Sequence, residues 1–320
     1  MTQAAAHSSA SAAADVIVVG AGPAGSSAAY HMATLGLDVI LLEKQELGRD
    51  KVCGDGLTPS AVRELVSMGV DTSGWQRNRG LRVIGGGHLL HFPWPEQASF
   101  PSYGMARPRA LLDRDLAEHA AAAGARLLTG VTVTGPVTSP TGRVTGVEAR
   151  PTNRVAYPGI EGPTTFTAPL VVDAGGVSAR LATAVGRTKN ERRPMGVAVR
   201  AYFRSPRSKD AWMESRLELW DGKPGQSDLL PGYGWIWSVG EGLVNVGLGS
   251  VSSRAAATAI DYRAVFNRWM DNVPASWGFT KENQVGGLVS AALPMAFNRK
   301  PHYADGLMLL GDAGGMVSPF

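Results

Sequence analysis

Cysteine is almost absent from this chain: Cys53 is the only one in 320 residues. One thiol cannot build a disulfide framework, an iron–sulfur cluster held by the protein or a zinc site of several thiolates. Long hydrophobic runs are missing as well. No stretch approaches the ~18 to 20 apolar residues that a spanning helix needs, so the chain is not expected to cross a membrane by itself. Nor is charge of one sign massed anywhere. The formal net charge of +4 is spread out, and the nearest thing to a basic block, Arg187 to Arg193, reads as a solvated loop. Nucleic acid is therefore not an expected partner, while weak attraction to an anionic membrane surface is allowed. Residues 1–14, MTQAAAHSSASAAA, lack a basic start and a leucine-rich centre. They read as a disordered tail and not a secretory signal, which makes the expected location cytoplasmic.

What is present is an ordinary soluble composition, 44% hydrophobic and 18% charged, in a length that suits one large or two ordinary domains. The most informative stretch is DVIVVGAGPAGSSAAYHMATLGLDVILLEK, from Asp15. An apolar run over Val16–Val19 leads into Gly20, Gly22 and Gly25, spaced G-x-G-x-x-G. Pro23 and Ala24 open an alanine-rich helix, and a second apolar run, Val39–Leu42, ends on Glu43 and Lys44. The glycines divide the work. Gly20 allows the sharp turn, Gly22 the close approach of backbone to a pyrophosphate, and Gly25 the close packing of helix on strand. The helix N-terminus offers free N–H groups and a favourable dipole to the phosphates. Glu43 can accept hydrogen bonds from a ribose hydroxyl pair, which indicates an adenosine with a free 2′-OH, so FAD or NAD.

Further along, Thr58-Pro59 starts a short helix, and ahead of it Lys51-Val52-Cys53-Gly54-Asp55-Gly56-Leu57 forms a glycine-punctuated loop. Loops at the carboxyl ends of strands in an open α/β sheet line the ligand crevice, so this one is a candidate for the reactive end of the cofactor. Residues 74–101 read as an inserted hairpin, and Arg107–Ala123 as a helix on which Arg109 and Asp113 sit four apart, an ordinary i,i+4 surface pair in the plainest reading. Residues 126–167 suggest a small β-meander and 168–173 another buried strand. Residues 194–251 read as an antiparallel sheet dense in Trp and Tyr, and 260–271 as a helix. Near the end, the apolar strand before Gly311-Asp312-Ala313 runs into small residues.

Taken together these motifs resemble the geranylgeranyl reductase family, within the wider group of FAD enzymes shaped like p-hydroxybenzoate hydroxylase. The resemblance runs from Asp15 to Phe320. Arg109-x-x-Leu112-Asp113 resembles the helix motif whose arginine lies near the FAD diphosphate, and Gly311-Asp312 resembles the second flavin motif, whose aspartate holds the ribitol chain. That resemblance decides FAD over NAD. Lys51-x-Cys53-Gly54-Asp55-Gly56 is similar to the family's cysteine–glycine loop beside the flavin, and Tyr233-Gly234-Trp235-Ile236-Trp237-Ser238 to its substrate-sheet motif Y-x-W-x-F-P.

The resemblance implies a Rossmann-like α/β FAD domain (15–73, 102–190 and 286–320) with an inserted antiparallel β-sheet substrate domain (74–101 and 191–285). It implies reduction of isolated C=C bonds in a polyprenyl chain, geranylgeranyl or menaquinone-type, with electrons from NAD(P)H or a small redox protein. Cys53 and Asp55 are then the candidate catalytic residues, Cys53 as the proton donor. Gly20, Gly22, Pro23, Ala24, Gly25, Glu43, Lys44, Cys53, Gly54, Arg109, Gly311 and Asp312 are the candidate FAD contacts, and Tyr233, Trp235 and Trp237 line the substrate. No metal is expected. Rival readings are a monooxygenase or halogenase on the same scaffold, a quinone-linked electron-transfer flavoprotein, and an inactive remnant. Three departures stand out: Asp173-Ala174-Gly175 where the group has Ala-Asp-Gly; Trp237 and Ser238 in place of Phe and Pro in the substrate-sheet motif; and the family's Gly-Glu-Gly-rich helix start, which would follow Phe320, so that the chain reads as C-terminally truncated.

Overall fold

A computed structural model describes residues 11–152, 162–190, 192–193, 195–252 and 260–317. The first ten residues of the expected tail and Glu191 of the basic loop lie outside them. Ser11–Ala13, expected in that tail, instead form a strand that pairs in parallel with Thr164–Thr167. The chain divides into two compact units, the first of residues 1–49, 113–190 and 294–320, the second of 50–112 and 191–293. Residues 50–73, 102–112 and 286–293, expected with the nucleotide fold, thus fall in the second unit.

The first unit is built on a six-stranded sheet. Its order is Tyr303–Ala304, Leu307–Leu309, Leu170–Asp173, Val16–Val19, Val39–Leu42, Arg126–Leu128, parallel throughout except for the first pair. Arg126–Leu128, expected in the meander, joins this sheet as its edge. A parallel sheet is covered on both faces and so reads as unbroken apolar runs. Alternation then divides each run. Val16, Val18, Val39, Leu41 and Val172 face a layer holding Ala29, Ala117 and Ala120 from the helices Pro23–Thr34 and Arg109–Ala122. Ile17, Ile40, Leu42 and Val171 face Val131, Val147 and Phe166 of the four-stranded sheet formed by Ser11–Ala13, Thr164–Thr167, Val144–Pro151 and Val131–Thr138.

The second unit carries a seven-stranded sheet, ordered Gln284–Pro294, Met195–Arg204, Leu243–Ser252, Gly232–Gly240, Trp212–Arg216, Gly80–Gly85, His88–Pro93. On one face Val199, Ala201, Phe203, Ile236, Val244, Val246 and Leu248 pack against the helix Tyr262–Met270. Asp261 caps that helix by accepting from the N–H groups of Arg263 (3.0 Å) and Ala264 (3.2 Å). Because side chains alternate, the other face takes the residues between: Arg200, Tyr202, Tyr233, Trp235, Trp237, Asn245. Their register is continuous, with Trp237 opposite Asn245, and Asn245 opposite Tyr202.

Candidate FAD site and reactive loop

In the first unit, three strands end together on three turns: Val19 on Gly20, Asp173 on Ala174, and Leu309 on Leu310-Gly311. Gly20 has φ +100°, and a Cβ there would stand 2.4 Å from the Ala174 carbonyl oxygen. At Gly25 a Cβ would stand 1.9 Å from the carbonyl oxygen of Gly20, so the helix can approach its own strand only without a side chain. Gly22 is different, since a Cβ there meets no protein atom within 4 Å. Protein packing therefore gives no reason for glycine at 22, whereas a side chain there would fill the space in front of the helix N-terminus. That terminus has Pro23 in its first turn, no side-chain cap and no acidic residue. Its own first turn thus carries no anion to compete with a diphosphate.

Glu43 is buried, one oxygen accepting from Ala21 N–H (3.0 Å) and the other from Gln45 N–H (3.1 Å). The oxygen that accepts from Ala21 retains a lone pair for a ligand hydroxyl, the other lies 3.6 Å from Arg49 Nε, and Glu43 lines a cleft with Ala21, Gly48, Arg49 and Asp113. Lys44 is exposed and contributes its carbonyl oxygen to Thr152 Oγ1 at 2.6 Å. Gly311 has φ +59°, and its Cβ position lies 2.9 Å from the Ala24 Cβ, which seats the Gly-Asp turn against the start of the helix. Asp312 lies in the 3₁₀ turn Gly311–Gly314, beside that helix start. Asp173, the shifted acid, is buried and turned inward. It accepts from Gly175 N–H (2.9 Å) and Ala182 N–H (3.1 Å), and burial raises its pKa. These residues fit an FAD: an uncapped helix start, an acid for the ribose, and a second acid within the same strand-end cluster.

In the second unit the Cys53 loop is seated on the polar face of the seven-stranded sheet. Cβ positions at Gly54 and Gly56 lie 2.3 and 2.9 Å from the Trp237 indole, so the loop lies flat on that ring. Asp55 sits between the two glycines with φ +67°, a left-handed conformation that a non-glycine residue adopts under constraint. The constraint is a set of hydrogen bonds. The Asp55 carboxylate accepts from Tyr202 Oη (2.5 Å), Asn245 Nδ2 (2.7 Å) and the N–H of Arg109 (3.1 Å), and the Asp55 N–H donates to Cys53 Sγ (3.4 Å).

Asn245 holds both ends of the loop, donating also to the Cys53 carbonyl oxygen (2.7 Å) while its Oδ1 accepts from Trp235 Nε1 (2.8 Å). The guanidinium of Arg200 lies over the Tyr202 ring at 4.2 Å and donates to the Lys51 carbonyl oxygen (3.1 Å) and to Asp50. Burial pushes the Asp55 pKa up to about 6, against hydrogen bonds from Tyr202 and Asn245 and the charges of Arg200 and Arg109. The Tyr233 hydroxyl is pushed up to about 12, by burial first and then by its electrostatic interaction with the neighbouring Cys53.

The substrate-lining candidates separate by burial. Tyr233 and Trp237 are partly exposed, whereas Trp235 is buried over Gly247, where a Cβ would lie 2.2 Å from its ring. Arg109 and Asp113 are both buried, not a surface pair. Sequence reading missed Tyr202 and Asn245 altogether. Each looks like one more residue of a β-strand, and only the pairing of distant strands brings them to Asp55.

Among the described residues no helix is long and apolar enough to cross a membrane, and none form a metal-binding group of three acidic, His or Cys side chains. Comparison with known proteins agrees with the geometry. The FAD binding domain family matches residues 13–259. Over 310 residues the chain is 37% identical to menaquinone reductase of Mycolicibacterium smegmatis, covering 96% of this chain and 71% of that protein. It is 30% identical to digeranylgeranylglycerophospholipid reductase 1 of Methanosphaera stadtmanae, covering 95% and 70%. Among solved structures, a geranylgeranyl bacteriochlorophyll reductase-like protein of Thermoplasma acidophilum superposes with a TM-score of 0.77 at 26% identity, covering 97% of this chain and 73% of that one. A fold of the p-hydroxybenzoate hydroxylase type, three strand ends whose residues fit an FAD and relatives across nearly the whole chain lead to one conclusion: this is an FAD-binding oxidoreductase belonging to the geranylgeranyl reductase family.

Proposed function

We propose that this chain reduces isolated C=C bonds of a polyprenyl chain, a menaquinone-type tail in the first place, since its 37% identity to a menaquinone reductase exceeds its 30% identity to a digeranylgeranyl lipid reductase. The observation that carries the reading is the Cys53 loop, laid on Trp237 and held by Asn245 and Asp55 over an aromatic sheet face. When bound, FAD supplies the reducing electron pair for chemistry that side chains cannot perform. Gly22, the helix at Pro23, Glu43, Gly311 and Asp312 would hold it. The electrons reach it from NAD(P)H or a small redox protein.

The protein's own residues have three roles. Tyr233 and Trp237 offer rigid apolar walls with polar edges, suited to a thin oily substrate. An isolated alkene also needs a proton at one carbon, and Cys53 Sγ is the donor in this reading. Asp55, titrating near neutrality and bonded through its N–H to that sulfur, fixes the thiol in place and maintains a proton-exchanging network with Tyr202. The substrate brings this chain to a membrane surface, where prenyl lipids reside.

Mass spectrometry of a prenyl quinone incubated with the FAD-loaded chain and a reductant tests the reading. The expected product gains one H₂ per saturated bond, and Cys53→Ala abolishes that gain while the flavin spectrum persists. Oxygenated or halogenated product, or full reduction by Cys53→Ala, would overturn the reductase assignment or the proton-donor role respectively.

A further inference from the structure

The seven-stranded sheet ends in an edge that ordinary soluble proteins avoid. Its last strand, His88–Pro93 (HLLHFP), is exposed at every residue, and Leu89, Leu90 and Phe92 are each at half exposure or more. The turn joining it to Gly80–Gly85 is Gly86-Gly87, with φ +59° and +76°. A Cβ on either glycine meets nothing within 4 Å, so the hairpin tip stands clear of its own unit. Exposed apolar side chains grouped in this way mark an interaction surface.

The surrounding charge indicates what is met there. Residues 76–95 include Arg77, Arg79 and Arg82, with His88 and His91, and no Asp or Glu. Arg82 is engaged by Asp210 (2.9 Å) and Glu214 (3.2 Å), and Arg77 lies over the Tyr103 ring; Arg79 is exposed. Trp94 follows at the base of the hairpin, its indole N–H held by Asn78 Oδ1 at 2.7 Å. Leucines and Phe beside Trp, with the exposed cations Arg77 and Arg79 and no acid within the hairpin itself, form a composition that partitions into the headgroup zone of an anionic bilayer. Depth is limited by the backbone. His88–Pro93 is hydrogen-bonded to a neighbour on one side only, and unpaired N–H and C=O groups cannot enter hydrocarbon.

Register ties the edge to the reactive loop. Phe92 pairs with Leu81 and Leu81 with Met213; Leu90 pairs with Val83, Val83 with Ser215, and Ser215 with Trp235. Cross-strand partners share a face, so both rows lie on the face that carries the Cys53 loop, where Met213 touches the Gly56 Cβ position. We propose that the hairpin Gly80–Pro93 docks this sheet on an anionic lipid bilayer, with Leu90 and Phe92 at the acyl boundary, on the face that carries the Cys53 loop. The inference rests on the prenyl-lipid reading and extends it to the partner.

Flotation of the FAD-loaded full chain tests it, with vesicles of equimolar phosphatidylcholine and phosphatidylglycerol and with phosphatidylcholine alone. The chain binds the anionic vesicles more tightly, and added salt weakens the binding. The double substitution Leu90→Gln/Phe92→Gln lowers vesicle affinity by about tenfold or more. Arg79→Gln lowers affinity for the anionic vesicles alone, by about fivefold. Both exchanges are at exposed positions, and circular dichroism checks the fold. Prenyl reduction in detergent, read in parallel, separates the two ideas. Bound vesicles without reduction would support docking and sink the reductase reading. Absence of vesicle binding by the parent, or equal binding by the double variant, overturns the docking proposal. So does a double variant that turns a dimer into a monomer while flotation is unchanged, since the hairpin would then be a contact between two copies.

Discussion

At Gly25 an added Cβ would stand 1.9 Å from the carbonyl oxygen of Gly20; at Gly54 it would stand 2.3 Å from the rim of Trp237. Both distances are impossible as they stand, but what must yield differs. At Gly25 the obstacle is backbone in the turn that would receive the diphosphate, and that turn is fixed by the Ala21 N–H bond to Glu43. At Gly54 it is one side chain, partly exposed and held through its indole N–H to the Glu214 carbonyl oxygen at 3.1 Å. The nucleotide turn is thus shaped by main chain against main chain, the reactive loop by main chain against side chains and buried hydrogen bonds. The first tolerates no side chain at Gly20 or Gly25; the second can be retuned through the residues that hold it.

The largest expected effect sharpens that contrast. Gly25→Ala forces the helix off its strand, with a loss of about 3 kcal/mol or more in urea unfolding and no flavin retained, whereas Gly54→Ala costs about 1 to 2 kcal/mol as Trp237 swings aside. Equal losses in the two variants would break the distinction.

Asp55→Asn gives the next effect, and its sign follows from burial. The pKa rises from 3.8 unfolded to about 6 folded, so the folded state holds the proton more tightly. The associated stability is complete below pH 3.8 and is lost as pH rises through about 6. Its full span is on the order of 3 kcal/mol, reading one pKa unit as 1.36 kcal/mol. Unfolding measured across that window is expected to swing by this amount in favour of the Asn variant. Parallel curves for parent and variant would show that Asp55 is not held protonated by its surroundings.

The smallest change in stability belongs to Gly22→Ala, within about 1 kcal/mol, because no protein atom opposes the new methyl. Flavin titration of the same variant should nonetheless show weakened binding, by about tenfold, as the methyl occupies ground needed by the diphosphate. Unchanged flavin affinity would mean that glycine at 22 is not there for a ligand.

The same contrast explains what could be read from the residues in advance. The strand, glycine turn, helix and Glu43 are consecutive, so local spacing carries the nucleotide site. The Gly311-Asp312 turn is distant, but it is announced by the apolar strand before it. Asp55 could be named from its loop, but not its partners: Tyr202 and Asn245 lie on separate strands and meet it only through pairing across the sheet. Periodicity shows which residues alternate, not which of two faces receives the loop. For that reason Trp235 and Trp237 read as equal wall residues, although one is buried over Gly247 and the other carries the loop.

Position 55 also has a bearing on which sequences can occupy this fold. Its left-handed backbone excludes β-branched and bulky residues, and its burial among Tyr202, Asn245 and the Arg109 N–H excludes any side chain without an acceptor. Asparagine fits the backbone and keeps one acceptor oxygen but turns an amide N–H toward a donor at the other position, and glycine satisfies the first condition alone. The route by which the loop could drift is therefore one residue wide: any descendant that discards the carboxylate passes through the Asp55→Asn exchange, or must rebuild Tyr202 and Asn245 in the same step.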